Sequence, residues 1–307
     1  MKKATKIAFI FVSILSSYSF AQQQAQFTQF NDNMLYFNPA YAGTRGMMNI
    51  TGVHRQQWVG FSGAPVSQTI SVNTPLKKHE NVGVGLSILN DKAGPLNQSW
   101  LNASFSYTLN FKRTKSKLTF GLNGGADLIN ANLSSLFVHD KEDESFSQNY
   151  QNKLSPNFGM GVYFHSKQFY AGISSPKIIE YNERKDQSSA FKNQRHFYAM
   201  VGGYLSINRM LKFRPSLLVK ITAGAPIALD CNAAFVVYDA FWFGANYRIG
   251  DSGGLYAQYQ ISNQFKIGYG FDISTTKLIQ HNFGTHEVVL SYDFKFKNKR
   301  ITSPRFF

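Results

Sequence analysis

The stretch HEVVLSYDFKF, residues 286–296, decides the fold of this chain. Its apolar residues occupy every second position, at Val288, Leu290, Tyr292, Phe294 and Phe296. The alternate positions are polar, at Glu287, Ser291, Asp293 and Lys295, with Val289 as the only exception. A period of two over about ten residues predicts a β-strand with one apolar and one polar face. A lone strand is not stable, so this one predicts neighbours.

Two upstream segments repeat the pattern. Within residues 264–273, every second residue is large and apolar, and the residues between them are polar or glycine. Residues 241–248 alternate in the same way. Segments of about ten residues with one apolar and one polar or glycine face are typical of transmembrane β-barrels.

Fourteen such segments can be placed along the chain. They are 48–57, 65–76, 82–90, 98–111, 117–128, 154–166, 168–175, 195–207, 211–221, 227–238, 240–249, 255–262, 264–273 and 286–297. An even count suits a single-chain bacterial outer-membrane barrel. The predicted class is therefore an all-β transmembrane antiparallel barrel of about 14 strands, with 12 or 16 as alternatives and a short N-terminal periplasmic or plug segment.

The length of each connection depends on whether the strand before it has an even or an odd number. Those after even-numbered strands are all short, whereas the long ones, 131–153, 176–194 and 274–285, follow odd-numbered strands. Barrels of this class have short periplasmic turns and longer outer loops. The pattern predicts that both termini lie in the periplasm.

The beginning of the chain carries an export signal. Lys2, Lys3 and Lys6 precede an apolar run over 7–15, and Ser19-Phe20-Ala21 offers a small-x-small cleavage site. This order predicts a secretory signal peptide over 1–21. The further predicted units are an N-terminal segment over 22–45, a barrel over 46–297 and a tail over 298–307. No other run approaches the ~18 apolar residues of a membrane-spanning helix.

The net charge is +15, and removal of the three lysines of the signal peptide lowers it to +12. Export argues against nucleic acid as the partner, so the positive charge is assigned to a wet lumen and to lysines at the membrane edge. The single cysteine, Cys231, excludes an internal disulfide framework. It also lies far from the cleavage site, which argues against a lipoprotein.

The known catalytic and cofactor motifs are absent. The sequence contains no HExxH, CxxC, GxSxG or phosphate-binding loop. His281 and His286 are more readily a chance pair than a metal site. The acidic group Asp140 and 142–144 lacks the spacing of a calcium loop, so a solvated loop is favoured. The glycine pairs at 83/85, 159/161 and 268/270 precede no helix, so they are assigned to lumen space or to close backbone approach. We expect no enzyme, no metal and no cofactor.

The remaining motifs point to a family. They are QF at 29–30, NPAYAG at 38–43, RQQWVGF at 55–61, GAP at 63–65 and 224–226, GTHE at 284–287, SYDF at 291–294 and SPRFF at 303–307. In this order they resemble the PorP/SprF family of outer-membrane proteins of the type IX secretion system, over about residues 27–307. The site residues that the resemblance implies are Asn38, Pro39, Ala40, Tyr41, Ala42, Gly43, Arg55, Trp58, Gly63, Ala64 and Pro65. Their turn chemistry favours a role in shaping the barrel over contact with a partner, and both remain open.

The resemblance implies a non-enzymatic role in one of two branches. Members resemble either a scaffold that links the secretion complex to the outer membrane or a partner of one large secreted adhesin. The second kind handles cargo with a type B C-terminal sorting domain, as in gliding motility. The implied partners are the type IX machinery, such a sorting domain and outer-membrane lipid, in a gram-negative bacterium.

Two other functions fit parts of the pattern. A porin-like channel or a hydrophobic-ligand transporter would have the same barrel. A secreted soluble β-protein would also alternate apolar and polar residues.

Overall fold

The computed structural model of the chain describes residues 24–135, 149–182, 192–223 and 225–294. Within these ranges no helix is long and apolar enough to cross a membrane. The predicted signal peptide, the predicted C-terminal tail and the last residues of the 286–296 stretch lie outside the described residues.

Fourteen antiparallel strands form one closed barrel, which confirms the predicted class and strand count. Each strand pairs with its neighbours in the chain, and the last strand closes the barrel by pairing with the first. The strands are β1 (Met48–Gln56), β2 (Val66–Pro75), β3 (Val82–Ala93), β4 (Leu96–Phe111), β5 (Ser116–Ala131), β6 (Tyr150–His165), β7 (Phe169–Ser175), β8 (His196–Gly203), β9 (Leu211–Thr222), β10 (Ala228–Val237), β11 (Phe241–Arg248), β12 (Ser252–Gln260), β13 (Phe265–Ser274) and β14 (Thr285–Phe294). After Tyr204, β8 resumes over Leu205–Ser206, still paired with β9.

The facing of β14 agrees with the alternation in its sequence. Leu290 is 44% exposed on the outer wall, whereas Glu287 and Ser291 are buried inside. Val289, the apolar exception on the polar face, is fully buried in the lumen core. An apolar outer face suits contact with lipid, and the inward row does not face open water.

The connections differ between the two ends of the barrel. Those after even-numbered strands contain six residues or fewer, and we call this end the short-turn mouth. The strand ends that are joined by the connections 57–65, 132–149, 176–195 and 275–284 lie at the other end, the long-connection mouth. Three connections at that mouth are also short, because β3 and β4 are joined by residues 94–95, β9 and β10 by residues 223–227, and β11 and β12 by residues 249–251. Within 176–195, the two-residue strands Tyr181–Asn182 and Lys192–Asn193 pair with each other.

The N-terminal segment fills the lumen, and we call residues 24–47 the plug. It contains three short helical turns, Phe30–Asp32, Met34–Phe37 and Pro39–Tyr41. Phe27, Phe30 and Phe37 are fully buried. The hydrophobic core therefore lies inside the barrel, between the plug and the inward faces of the strands.

The plug leads from one mouth to the other. Gln24 is hydrogen-bonded to Tyr198, which lies near the start of β8, at the long-connection mouth. Arg45 pairs with Asp293 of β14 at the short-turn mouth, where β1 begins. Phe294, the last described residue, lies at the short-turn mouth as well, opposite Met48. The two ends of the described chain thus lie at opposite mouths. The expectation that both termini lie in the periplasm concerns residues outside the described ranges and stays a prediction.

Candidate functional site

Asn38 ties the plug to the barrel wall. Its side-chain Oδ1 accepts a hydrogen bond of 2.9 Å from the backbone N–H of Ala40, which caps the Pro39–Tyr41 turn. Pro39 suits the first position of that turn because its φ is fixed and it needs no donor. The Asn38 Nδ2 donates to the Val162 carbonyl of β6 at 3.0 Å and to the Ile173 carbonyl of β7 at 3.5 Å. One amide therefore shapes the turn and anchors it to two strands.

Three inward-facing glycines let the wall touch the plug. A Cβ atom at Gly121 would lie 2.1 Å from the backbone nitrogen of Ala40. One at Gly83 would lie 2.2 Å from the Ala42 carbonyl oxygen, and one at Gly161 would lie 2.1 Å from the Asn38 Oδ1. We call Gly83, Gly121 and Gly161 the glycine seam. At these positions close backbone approach, rather than empty lumen space, explains the glycine.

Side chains of the wall satisfy the backbone of the plug. The Ser106 hydroxyl donates to the Ala42 carbonyl at 2.7 Å, and the Ser174 hydroxyl donates to the Phe37 carbonyl at 2.8 Å. The backbone N–H of Gly43 donates to the Asn73 Oδ1 at 3.2 Å, with Gly43 at a φ of +72°. Short helical turns leave backbone groups without partners, and here the strands supply them.

Aromatic rings fill the space between these polar contacts. Phe37 meets Tyr36, Phe27 and Tyr198 edge to face, with ring centroids 4.9, 6.2 and 5.2 Å apart. Tyr36 meets Trp100 of β4 in the same way at 5.6 Å. Edge-to-face pairs contribute about 0.5–1.5 kcal/mol each beyond the area they bury.

A buried ionic network, which we call the clasp, holds the plug near the long-connection mouth. Arg55 of β1 contacts Asp272 of β13 at 2.8 Å and Glu287 of β14 at 3.1 Å. The Glu287 carboxylate also accepts hydrogen bonds from the backbone N–H groups of Thr28 at 2.8 Å and Gln29 at 2.7 Å. Three strands and the plug therefore share one network, and loss of Arg55 would leave two carboxylates buried together.

Further ion pairs inside the lumen neutralise part of the positive charge of the chain. Asp32 of the plug pairs with Lys266 and accepts a hydrogen bond of 2.6 Å from Gln258. On the wall, Asp230 lies between Lys220 at 2.6 Å and Arg248 at 2.5 Å. The expected wet lumen is thus wrong for the part that the plug occupies, because these cations are buried and paired.

The predicted site residues separate into two groups. Asn38, Pro39, Ala40, Tyr41, Ala42 and Gly43 pack against β2–β7, and Arg55 belongs to the clasp. Trp58, Gly63, Ala64 and Pro65 lie in the connection after β1, at the long-connection mouth. There the backbone N–H of Trp58 donates to Thr285 Oγ1, and the backbone N–H of Gly94 donates to the carbonyl of Gly63. Partner contact by any of these residues stays a prediction.

Sequence reasoning missed several residues of the site. Asp272 and Thr28 belong to the clasp without having been singled out. Gln29 had appeared only in the QF motif, and Glu287 only as a polar position of the last strand and in the GTHE motif. Asp272 and Glu287 fall on the polar faces of their strands, which is the one signal that sequence offers. An inward-facing carboxylate needs a buried partner only if the lumen is filled, and the sequence pattern does not show that the lumen is filled.

The described residues contain no group of three or more His, Cys, Asp or Glu side chains that could hold a metal ion. His286 contacts the Tyr269 hydroxyl at 2.6 Å, and His281 ends a short helical turn in the connection 275–284. The acidic group at 140–144 lies outside the described residues, as does Gly224 of the second GAP motif.

These features define the class of the protein as an outer-membrane-type β-barrel whose lumen holds its own N-terminal segment. The chain belongs to the family described as type IX secretion system membrane protein PorP/SprF, which it matches over residues 19–292. Family and fold together place the protein in the outer membrane as a component of that secretion system.

Solved structures with a similar arrangement of strands are outer-membrane proteins and porins. Omp33 of Acinetobacter baumannii matches with a TM-score of 0.43 and 11% identity, covering 81% of this chain and 98% of that one. The KdgM porin matches with a TM-score of 0.37 and 9% identity, covering 80% of this chain and 99% of that one. No curated protein matches the chain.

Proposed function

We propose that the protein is a non-enzymatic partner in type IX secretion that binds one large secreted adhesin and the envelope machinery. The observation that carries this proposal is the plug, whose buried residues occupy the lumen from one mouth to the other. A filled lumen favours binding at the mouths over passage of solute through the barrel. Family membership supplies the secretion system, and the cargo-specific role over the scaffold role is part of the proposal.

The outer side is proposed to hold the cargo. With the long connections outside and the short turns in the periplasm, residues 57–65, 176–182, 192–195 and 275–284 would be available to a type B C-terminal sorting domain. The short turns would face the periplasmic machinery. In this orientation Phe294 faces the periplasm, whereas Gln24 lies toward the outer mouth.

Comparison of the secreted and surface proteomes of wild type and a deletion strain tests the proposal. We expect loss of one or a few large adhesins while general type IX cargo still leaves the cell. Loss of all type IX cargo would instead assign the scaffold role.

A solute channel is the second candidate because the fold is a closed transmembrane barrel with a mouth at each end. It requires the plug to move, so it predicts a saturable solute flux in vesicles containing the purified protein. Normal secretion together with reduced solute uptake in the deletion strain would favour this channel and refute the secretion partner.

A further inference from the structure

A pocket of about 580 Å³ opens at the short-turn mouth, between the end of the plug and the wall. One side is formed by the plug residues Thr44 and Met47. Leu76 of the β2–β3 turn, Asn110 of β4 and Lys117 of β5 form the other side. Neither the clasp nor the glycine seam contributes a residue to the pocket. Gly43, which packs against Gly83 of the seam, is part of the lining.

The pocket belongs to the lumen mouth and not to the lipid-facing wall. Asn110 continues the inward row of β4, in which Ser104 and Ser106 are buried. Lys117 continues the inward row of β5, in which Thr119 is buried. Because successive side chains of a strand point to opposite faces, a lipid on the outer wall does not reach these positions.

Positive charge surrounds the pocket. Lys77 of the β2–β3 turn and Lys117 at the start of β5 line the pocket. The β2–β3 and β4–β5 turns carry four further exposed cations, at Lys78, Lys112, Arg113 and Lys115. Glu80 also lines the pocket and is the one acidic residue among residues 76–81 and 112–117. The excess of positive charge at this mouth raises the local concentration of anionic ligands.

The lining also offers apolar contact and an unused polar group. Met47, Met48, Leu76 and Phe294 supply apolar surface. His165 lines the pocket beside Lys117, its partner in the β5–β6 pairing, and is only 6% exposed. Its Nε2 has no hydrogen-bond partner among the described residues. A ligand that combines anionic groups with an apolar side chain matches this lining.

We propose that this pocket binds an acidic peptide segment carrying one large apolar anchor, supplied by a protein of the compartment that the short turns face. Carboxylates of the segment pair with Lys77 and Lys117, and the anchor contacts Met47 and Leu76. This inference deepens the proposed function, on which it rests, by giving the chemistry of the machinery side. The basic rim speeds association, and the anchor sets the lifetime of the complex.

Peptide titration of the full chain in lipid nanodiscs tests the proposal. The probe is a fluorescein-labelled peptide of acidic residues around a central phenylalanine, compared with the same peptide carrying amides in place of its acids. We expect the acidic peptide to bind and the double variant Lys77→Glu/Lys117→Glu to weaken it by about tenfold or more. The matched control is Lys92→Glu/Lys277→Glu, which makes the same change in net charge at exposed positions of the other mouth. It should leave the affinity within about twofold.

Three results would overturn the pocket. The first is equal binding of the acidic and amide peptides. The second is equal weakening by both double variants, because net charge alone would then account for the effect. The third is displacement of the peptide by vesicles of anionic phospholipid, because the rim would then be a lipid site.

An experiment in cells separates this proposal from the function on which it rests. Loss of the same adhesins in the deletion strain and in a folded Lys77→Glu/Lys117→Glu strain supports both. Loss in the deletion strain alone refutes the pocket and leaves the function intact. Normal secretion in the deletion strain refutes the function, and the peptide titration still decides the pocket.

Discussion

Replacing Gly121 with alanine perturbs the contact between plug and wall by one methyl group. The new Cβ would lie 2.1 Å from the nitrogen of Ala40, 2.4 Å from its Cα and 2.5 Å from the carbonyl carbon of Pro39. All three atoms are backbone, so no side chain can rotate away. Reaching an ordinary contact of 3.4 Å requires the turn or the strand to move by about 1.3 Å.

The cost follows from that displacement. Overpacking of this kind destabilises by about 1–3 kcal/mol. The turn that must move also holds the two hydrogen bonds from Asn38 to β6 and β7, and each one lost adds about 1 kcal/mol. We expect Gly121→Ala to lower the free energy of unfolding by about 2–4 kcal/mol.

Gly124 of the same strand is the matched control. It faces outward, and a Cβ there would meet nothing within 4 Å. Gly124→Ala should be neutral or slightly stabilising because alanine reduces the freedom of the unfolded chain. The measurement is urea unfolding of both variants in detergent micelles, followed by tryptophan fluorescence. Unfolding free energies within about 0.5 kcal/mol of each other would refute the close contact between Ala40 and the seam.

Three further predictions concern the wall, the clasp and the orientation. Leu290→Arg should cost about 2–4 kcal/mol in the same unfolding assay because it places a charge on the lipid face, and a neutral result would reverse the assigned facing. Arg55→Ala should cost about 3–5 kcal/mol because it leaves Asp272 and Glu287 buried without their cation, and a loss below about 1 kcal/mol would show that the clasp does not hold the plug. In a Cys231→Ser background, an impermeant thiol reagent on intact cells should label Thr276→Cys and spare Arg113→Cys; the opposite pattern would invert the barrel.

The strands could be predicted because the two faces of each strand meet different surroundings, lipid outside and the lumen inside. Lipid requires an apolar outer row and the lumen tolerates polar or small residues, so the period of two appears in almost every strand. The limits of single strands were less clear. β3 continues to Ala93 and β4 begins at Leu96, although Asn90, Asp91 and Asn97 resemble loop residues in the sequence. Hydrogen bonds across the pair, such as Asn90 Nδ2 to Asn97 Oδ1 at 2.9 Å, keep these residues in the sheet.

The plug could not be derived in the same way. Its helical turns contain three or four residues, which is too short for a helical period to appear. The clasp joins Arg55 to carboxylates 217 and 232 positions away, and no local pattern encodes such a pair. The filled lumen also decides the effect of an arginine at Ser291. A lumen-facing arginine there would be mild in an open barrel, but Ser291 is buried and accepts a hydrogen bond from Asn49 at 3.0 Å, so we expect it to be costly.

The composition of the NPAYAG motif follows from the surface it meets. Asn38 both caps the turn and bonds two strands, which no apolar residue can do. Ala40 and Ala42 lie against Gly121 and Gly83, so a larger residue on either side of that contact would separate the plug from the wall. Tyr41, between the two alanines, stacks edge to face on Tyr163 at 5.6 Å. Small and large residues therefore alternate along the motif because the wall presents glycine and aromatic side chains in turn, and a change on one side requires a compensating change on the other.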